Sequence, residues 1–220
     1  MFRSAWMLAV QLAPCIFLLL LGWGLNDVGD WFANPARAGF TAMIFAAAVT
    51  TIAMRLDLNP SRKGVTAVGW QKLELVVLLL LSLALLWFLP FADRRKILLL
   101  RSEWWRWLGL AMCAIGTVVR LLALRALGPW FSAYVTLQPG HRLVREGIYR
   151  RLRHPLYLSL AIGTSGMALV FKSVLALPIL LLAIVFIQDR IRKEERLLAK
   201  RFGLAFEEYC RASWRLVPGC

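Results

Sequence analysis

A short stretch of the chain gathers side chains that could hold a charged cofactor beside an apolar substrate. Residues 147–157 contain a glycine, two tyrosines, a histidine and three arginines, directly ahead of a long apolar run. The stretch lies where a membrane segment begins, and its backbone amides, aromatic rings and cations could bind such a pair of ligands. Pro155 disfavours helical dihedral angles at His154 and suits the first turn of a helix, so the His154 ring is expected at a helix N-terminus.

A second charged cluster, residues 189–195, follows the next apolar run. Arg190 and Glu194 are four residues apart, which places them on one face of a helix near the membrane boundary. Apolar residues then recur every three or four positions, which indicates an amphipathic helix that Gly203 could bend. These apolar residues are Leu198, Phe202, Phe206 and Tyr209.

The elements that must position these clusters are membrane helices. The chain has 220 residues, is 60% hydrophobic and has a mean hydropathy of +0.65, well above soluble domains. Four apolar segments approach the roughly 20 residues that a spanning helix needs. They cover about residues 6–25, 38–54, 75–91 and 107–124.

The last apolar run, residues 156–187, is too long for one span and is interrupted at Lys172 and Ser173. It predicts a helical hairpin with its tip at those two residues. Both ends of such a hairpin lie on one side, which would bring His154 close to Glu195.

The predicted fold class is therefore all-α. It is a polytopic membrane protein with four transmembrane helices, a C-terminal helical hairpin and a cytoplasmic amphipathic helix. Residues 1–126 would form the N-terminal transmembrane helices. Residues 127–220 would supply a cofactor-binding loop, the hairpin and the C-terminal helix, in one catalytic unit with the preceding helices. The first apolar segment has no clean cleavage site, so it is interpreted as a retained helix and not as a signal peptide.

Charge gives the topology. The formal net charge is +15, and 14 of the 27 Lys and Arg residues lie in residues 141–220. The cations flank membrane segments, which favours anionic headgroups as their partners and argues against nucleic acid. A cytoplasmic N-terminus and C-terminus are predicted, with loop 26–37 outside and the cationic loop 55–72 inside. Loop 93–106 conflicts with the positive-inside rule, because helices that alternate in direction place its five cations outside. Either this loop lies along a membrane interface or the helix count is off by one.

Several other kinds of site are not indicated. The four cysteines have no metal-ligand spacing, so no metal site is predicted. No phosphate loop or dinucleotide-binding glycine pattern occurs. The small residues 163–166 suit close helix packing. The C-terminal Cys220 is the last residue, so the chain does not end in a prenylation box.

Residues 127–218 resemble the isoprenylcysteine carboxyl methyltransferase family and its wider group of small membrane methyltransferases. The resemblance rests on a series of short motifs in order. They are His141-x-Leu143-Val144-x-x-Gly147-x-Tyr149, Arg153-His154-Pro155-x-Tyr157, Ile162-Gly163-Thr164, Asp189-Arg190, Glu194-Glu195-x-x-Leu198-x-x-x-Phe202-Gly203, Tyr209 and Pro218. Ser159 departs from the family pattern, which commonly has glycine there. The N-terminal half matches only in being apolar.

The resemblance implies S-adenosylmethionine as the methyl donor. By analogy, one set of residues would bind this cofactor: His141, Leu143, Val144, Gly147, Tyr149, His154, Pro155, Tyr157 and Glu195. Arg190, Glu194 and Arg153 would form the catalytic set, with Arg190 orienting the acceptor. The acceptor would be a lipophilic small molecule or a lipidated substrate. The cofactor is supplied in the cytosol, which favours an inner or plasma membrane with a cytoplasmic active site; the oligomeric state is left open.

The favoured reaction is transfer of a methyl group to the carboxylate of an isoprenylcysteine-like acceptor. A carboxylate is already ionised at neutral pH, so positioning and an arginine clamp could supply much of the rate. The alternatives are a phospholipid N-methyltransferase, a small-thiol S-methyltransferase and a reductase of the sterol type that uses NADPH. A scaffold or transporter is disfavoured, because the membrane segments carry almost no acidic or amide groups.

Overall fold

The computed structural model describes residues 2–53, 65–66, 71–132, 134–137 and 140–217. Most of the loop 55–72 therefore lies outside the described residues. The described residues form eight α-helices, named in chain order: α1 (Phe2–Trp23), α2 (Val28–Ala33), α3 (Pro35–Ala53), α4 (Gln71–Arg94), α5 (Trp104–Leu127), α6 (Pro155–Val170), α7 (Ala176–Phe202) and α8 (Leu204–Ala212). Two short strands, β1 (Val65–Thr66) and β2 (Thr136–Leu137), pair antiparallel.

The all-helical membrane architecture is confirmed, with a difference at the first segment. Three described helical segments are long and apolar enough to cross a bilayer: Pro35–Ala53, Leu73–Arg94 and Trp104–Trp130. The predicted first span is instead bent by 93° after Trp23, where the chain turns into α2, so this pair makes a fourth span only if both parts are counted together. The bend lies at Gly24, whose φ of 117° is open to glycine and strained for other residues.

The predicted hairpin is confirmed. α6 ends at Val170, α7 begins at Ala176, and the turn between them contains Lys172 and Ser173. The charged cluster 189–195 continues α7 without a break, which holds it rigidly to the hairpin. The predicted amphipathic helix is divided, because Gly203 with φ 52° ends α7 and starts α8.

Glycine allows α5 and α6 to pack backbone to backbone. A Cβ added at Gly109 would lie 2.5 Å from the Gly166 carbonyl oxygen, and one at Gly166 would lie 2.7 Å from the Gly109 oxygen. No side chain fits at such distances, so the two helices touch through their main chains. This contact confirms the expected packing role of Gly166. Closer to Pro155, a Cβ at Gly116 would lie 3.0 Å from the Ser159 carbonyl oxygen, so the close packing continues toward the end of α6 that carries His154.

Consecutive long helices run in opposite directions, which gives the molecule two ends. Arg94 at the end of α4 pairs with Asp27, and the Leu100 amide donates to the Lys172 carbonyl at 2.8 Å. Loops 24–34, 94–104 and 171–175 therefore meet at one end, named the far end. Loop 93–106 therefore lies at the same end as the acidic loop 26–37, as alternation of the helices predicted. One of its cations, Arg94, pairs with Asp27, and the conflict of the others with the positive-inside rule stays.

The α5–α6 packing gives a stability prediction. Gly166→Ala is expected to destabilise the protein by about 1–3 kcal/mol, because the new methyl group must push two backbones apart. Gly163→Ala on the same helix is the matched control, since its Cβ would meet nothing within 4 Å. Thermal unfolding in detergent measures both variants, and equal melting temperatures for the two would contradict the packing argument.

Candidate functional site

The residues of the predicted cofactor loop lie at the end opposite the hairpin turn, between α5 and α6. After α5 the chain passes through β2 and reaches a 3-10 turn at Gly147–Arg150. Gly147 has a φ of 57°, and a Cβ there would lie 3.2 Å from the Cβ of Ala126, so both its dihedral angle and its surroundings favour glycine. His154 is non-helical and Pro155 opens α6, as predicted.

A C-terminal strap, residues 209–215, holds the loop. The amides of Arg153 and His154 donate to the carbonyls of Trp214 and Arg215 at 2.8 and 3.2 Å. The Tyr209 hydroxyl donates to the Tyr149 carbonyl at 2.6 Å. The strap therefore fixes the backbone on either side of the predicted cofactor motif.

The side chain of Arg153 binds this strap. One terminal nitrogen of its guanidinium donates to the carbonyls of Cys210 and Ser213 at 2.8 and 2.5 Å. Its Nε lies 3.3 Å from Glu195. These contacts give Arg153 a role in holding the C-terminal residues, and its catalytic role stays a prediction.

Glu195 joins the two charged clusters. Its carboxylate lies 3.2 Å from His154 Nε2 and accepts a hydrogen bond from Arg215 at 2.6 Å. The proximity of His154 to Glu195 that the hairpin predicted is confirmed. Burial alone raises the pKa of Glu195, but the hydrogen bonds and charges of His154 and Arg215 outweigh it and lower the pKa to about 2. Glu195 thus remains ionised and orients His154.

The loop, α4, α5, α6 and α7 enclose a cavity of about 430 Å³. Most of the predicted site residues line it: His141, Leu143, Val144, Tyr149, Arg153, His154, Tyr157, Arg190 and Glu194. The other three predicted residues do not line the cavity. Gly147 shapes the loop, Pro155 begins α6, and Glu195 binds His154. The hairpin and the strap therefore bring nine of the twelve predicted residues to one space.

Arg190 and Glu194 of α7 meet Tyr157 in the first turn of α6. Arg190 is buried, with 4% of its surface exposed, while Glu194 is more open. The hydroxyl of Tyr157 lies within hydrogen-bonding reach of both side chains. A cation and a carboxylate thus face the cavity from one side of α7.

His141 supplies a polar atom without a partner. Its ring packs against Trp130 and Phe202, with centroids 5.2 and 6.3 Å away. Its Nδ1 is buried and has no hydrogen-bond partner among the described residues. Burial also lowers the pKa of His141, against a smaller opposite effect of Glu194, so the imidazole is neutral at pH 7. A neutral ring with a free nitrogen suits hydrogen bonding to a ligand.

Sequence reasoning missed Arg120, which also lines the cavity. It lies on α5 at helical spacing from Gly109, Cys113 and Gly116, which are buried against α6, but Arg120 itself is exposed. Within the part of the chain that the structure describes, its guanidinium forms no ion pair and no hydrogen bond. An arginine inside an apolar segment marks a functional site by default, and this was the available signal.

The apolar side of the cavity was also missed. α4 contributes Leu75, Leu78, Leu79 and Ser82 to it. These residues lie in a helix that is long and apolar enough to cross a membrane. No motif marked them, because apolar residues in a membrane helix look alike whether they face lipid or a cavity.

Residues 107–200 match the sequence model of the isoprenylcysteine carboxyl methyltransferase (ICMT) family. The resemblance stated from the motifs is confirmed. A probable protein-S-isoprenylcysteine O-methyltransferase of Oryza sativa subsp. indica is 35% identical over 117 residues, which is 50% of this chain and 60% of that protein. The cobalt-zinc-cadmium resistance protein CzcN of Cupriavidus metallidurans is 31% identical over 112 residues, which is 50% of this chain and 48% of that protein.

A solved structure of the eukaryotic intramembrane Ras methyltransferase ICMT has a similar fold. The TM-score is 0.59 at 21% identity, over 92% of this chain and 73% of that chain. The likeness extends into the N-terminal half, where the sequence carried no motif. The aligned part covers only 60–62% of the first plant relatives, so the similarity concerns their shared segment.

The contacts of Glu195 predict a pH-dependent contribution to stability. Its folded-state pKa of about 2 lies below the ordinary 4.5, so the carboxylate stabilises the fold above pH 4.5 and this is lost as pH falls toward 2. Glu195→Gln is expected to cost on the order of 2–3 kcal/mol at pH 7, less near pH 3. Melting temperatures across this range provide the test, with the exposed Glu208→Gln as control. A gap between wild type and Glu195→Gln that is independent of pH would refute it.

Proposed function

We propose that this integral membrane protein transfers a methyl group from S-adenosylmethionine to the carboxylate of an isoprenylcysteine-like lipophilic acceptor. One observation carries the proposal. A single cavity joins the loop residues of the family motif to two arginines and to the apolar wall of α4. A charged donor and a lipid-soluble acceptor could therefore meet in one space.

The loop side of the cavity fits the cofactor. The buried Nδ1 of His141 needs a hydrogen-bond partner, and Trp130, Tyr149 and Tyr157 supply aromatic surface. His141, His154 and Tyr149 would hold the cofactor, with Leu143 and Val144 as apolar contacts. Bound there, S-adenosylmethionine supplies an electrophilic methyl group on a sulfonium sulfur. The other cofactor predictions, Gly147, Pro155 and Glu195, would act by shaping this wall.

The opposite side of the cavity suits an anionic acceptor. Arg190 and Arg120 both reach it, and a guanidinium can bind a carboxylate through two parallel hydrogen bonds. An amine acceptor would be cationic and would be repelled by these arginines. Since a carboxylate is ionised at neutral pH, Arg190 needs only to orient it, with Glu194 limiting where it can sit. Arg153 would support the site by holding the strap at the cavity wall.

We further propose that the two parts of the chain, residues 1–126 and 127–220, act as one catalytic unit. α4 and α5 from the first part share the cavity with the loop, α6 and α7 from the second. The site end would face the cytoplasm of an inner or plasma membrane, because the cofactor is made there and the C-terminal cations lie at that end. A prenylated protein or small lipid would enter from the bilayer.

Cofactor binding is the first test. Purified full-length protein in detergent is expected to bind S-adenosylmethionine or its demethylated product with micromolar affinity, about 8 kcal/mol. His141→Ala should weaken binding about tenfold by removing one buried hydrogen bond. The exposed neighbour variant Arg142→Ala is the control. Isothermal titration measures all three proteins, and binding of NADPH in place of the methyl donor would favour a reductase.

Arg190 separates donor binding from transfer. Arg190→Ala should keep cofactor affinity and lower transfer to an isoprenylcysteine analogue by roughly thirty- to a thousand-fold, about 2–4 kcal/mol. Arg190→Lys should recover little, because an ammonium lacks the planar fork of a guanidinium. The exposed Arg192→Lys is the matched control. Wild-type transfer by Arg190→Lys at equal folded yield would rule out the carboxylate clamp and point to an amine or thiol acceptor.

A further inference from the structure

The far end of the molecule, opposite the candidate site, holds a second and strongly cationic cavity. Its volume is about 1000 Å³, and loops 24–34, 94–104 and 171–175 surround it. Seven cationic side chains line it against three acidic ones. The cations are Arg37, Arg94, Arg95, Lys96, Arg101, Arg106 and Lys172, and the acids are Asp30, Asp93 and Glu103.

The two inner acids are already used by the protein. Asp93 lies buried between Arg37, at 3.2 Å, and Arg106, at 2.7 Å. Glu103 accepts from Arg106 at 2.7 Å and also pairs with Lys172. These contacts tie α3, α4, α5 and the hairpin turn together. They account for the inner cations and leave no inner carboxylate for the outer ones.

The outer cations are Arg95, Lys96 and Arg101. Arg94 beside them pairs with Asp27, but these three are exposed and form no ion pair among the described residues. If the site end is cytoplasmic, they lie on the side where the positive-inside rule disfavours cations. Their charge is therefore not explained by topology and calls for an anionic partner.

The loop that carries the outer cations is held in a fixed shape. Lys96 and Leu98 have φ angles of 55° and 46°, which are uncommon for residues other than glycine. The Ile97 amide donates to the Ala92 carbonyl at 2.9 Å, and the Val174 amide donates to the Leu98 carbonyl at 3.2 Å. Such constrained backbone is often found where a ligand is clamped. The cations thus start from an ordered loop.

Apolar surface beside the cations indicates a lipid and not a free anion. Leu98 and Trp104 are 64% and 65% exposed, and Trp107 is 47% exposed. Tryptophans at helix ends mark the headgroup level of a bilayer, and here they stand at the start of α5. A free phosphate would gain nothing from these apolar side chains, whereas a phospholipid would contact them with its acyl chains.

We propose that this far-end cavity binds the headgroup phosphate of an anionic phospholipid. The phosphate is bound by Arg95, Lys96 and Arg101, and the acyl chains contact Leu98 and Trp104. The buried ion pair of Asp93 with Arg106 stabilises the inner wall of the cavity. The site is separate from the methyl-transfer cavity and does not depend on that activity.

The test uses delipidated full-length protein in a neutral detergent. It is titrated with phosphatidylglycerol, with phosphatidylcholine and with inorganic phosphate, and binding is followed by native mass spectrometry and thermal shift. One variant removes the outer cations: Arg95→Gln/Lys96→Gln/Arg101→Gln. The control removes the same charge from exposed positions at the site end: Lys200→Gln/Arg201→Gln/Arg211→Gln.

Each cation near an anionic surface contributes about fivefold in affinity, so the far-end variant should bind phosphatidylglycerol up to roughly a hundredfold more weakly. The control should bind like wild type, and wild type should prefer phosphatidylglycerol to phosphatidylcholine. Should the triple variant fold poorly, the single variant Arg101→Gln should still show about a fivefold loss. Equal losses in variant and control would mean diffuse attraction, and competition by inorganic phosphate at the lipid's own concentration would mean a free-anion site; either result overturns the proposal.

Discussion

The main-chain contact of Gly109 with Gly166 sets the spacing of α5 and α6, and the candidate site depends on that spacing. No Cβ fits on either side of the contact. Gly116 also packs closely on Ser159 and Gly163, nearer to Pro155 at the start of α6, so the distance between the two helices decides where His154 and the preceding loop lie. Arg120, at helical spacing from Gly109 on α5, lines the cavity although much of its side chain is exposed. A wider pair of helices would separate this arginine from the loop.

Ion pairs add to the helix packing in holding the helices together, and a different carboxylate does this at each end of the molecule. At the site end, Glu195 ties α7 to the loop and to the strap through His154 and Arg215. At the far end, Asp93 ties α3 to α5 through two arginines. Each carboxylate is shared by at least two partners, which stabilises a charge in a place with little water. The two ends of the membrane helices are thus fixed independently of the apolar core between them.

The sequence similarity to the family covers a shorter part of the chain than the structural similarity does. The sequence match begins at residue 107, inside α5, whereas the structural likeness covers 92% of the chain. The helices before residue 107 supply the apolar wall of the cavity through α4. Membrane helices keep their shape under many apolar substitutions, so a fold can persist where sequence similarity has faded. Differences in that wall, and Ser159 on α6, are where acceptor choice would vary.

Much of the architecture followed from the sequence because hydropathy and helix length are local properties. The long helices, the turn at Lys172, the bend at Gly203 and the proximity of His154 to Glu195 were all predictable from apolar runs and their interruptions. The family motif likewise identified nine residues that line one cavity.

Tertiary structure alone decided the rest. The bend after Trp23, the strap residues Trp214 and Arg215, and the pairing of loop 93–106 with distant acids each depend on contacts between residues far apart in sequence. Arg120 is visible in the sequence as a charge inside an apolar segment. Whether its side chain lines the cavity depends on which face of α5 packs on α6. The sequence determined which segments are helices and which residues are polar; only packing determined which of those polar groups face each other.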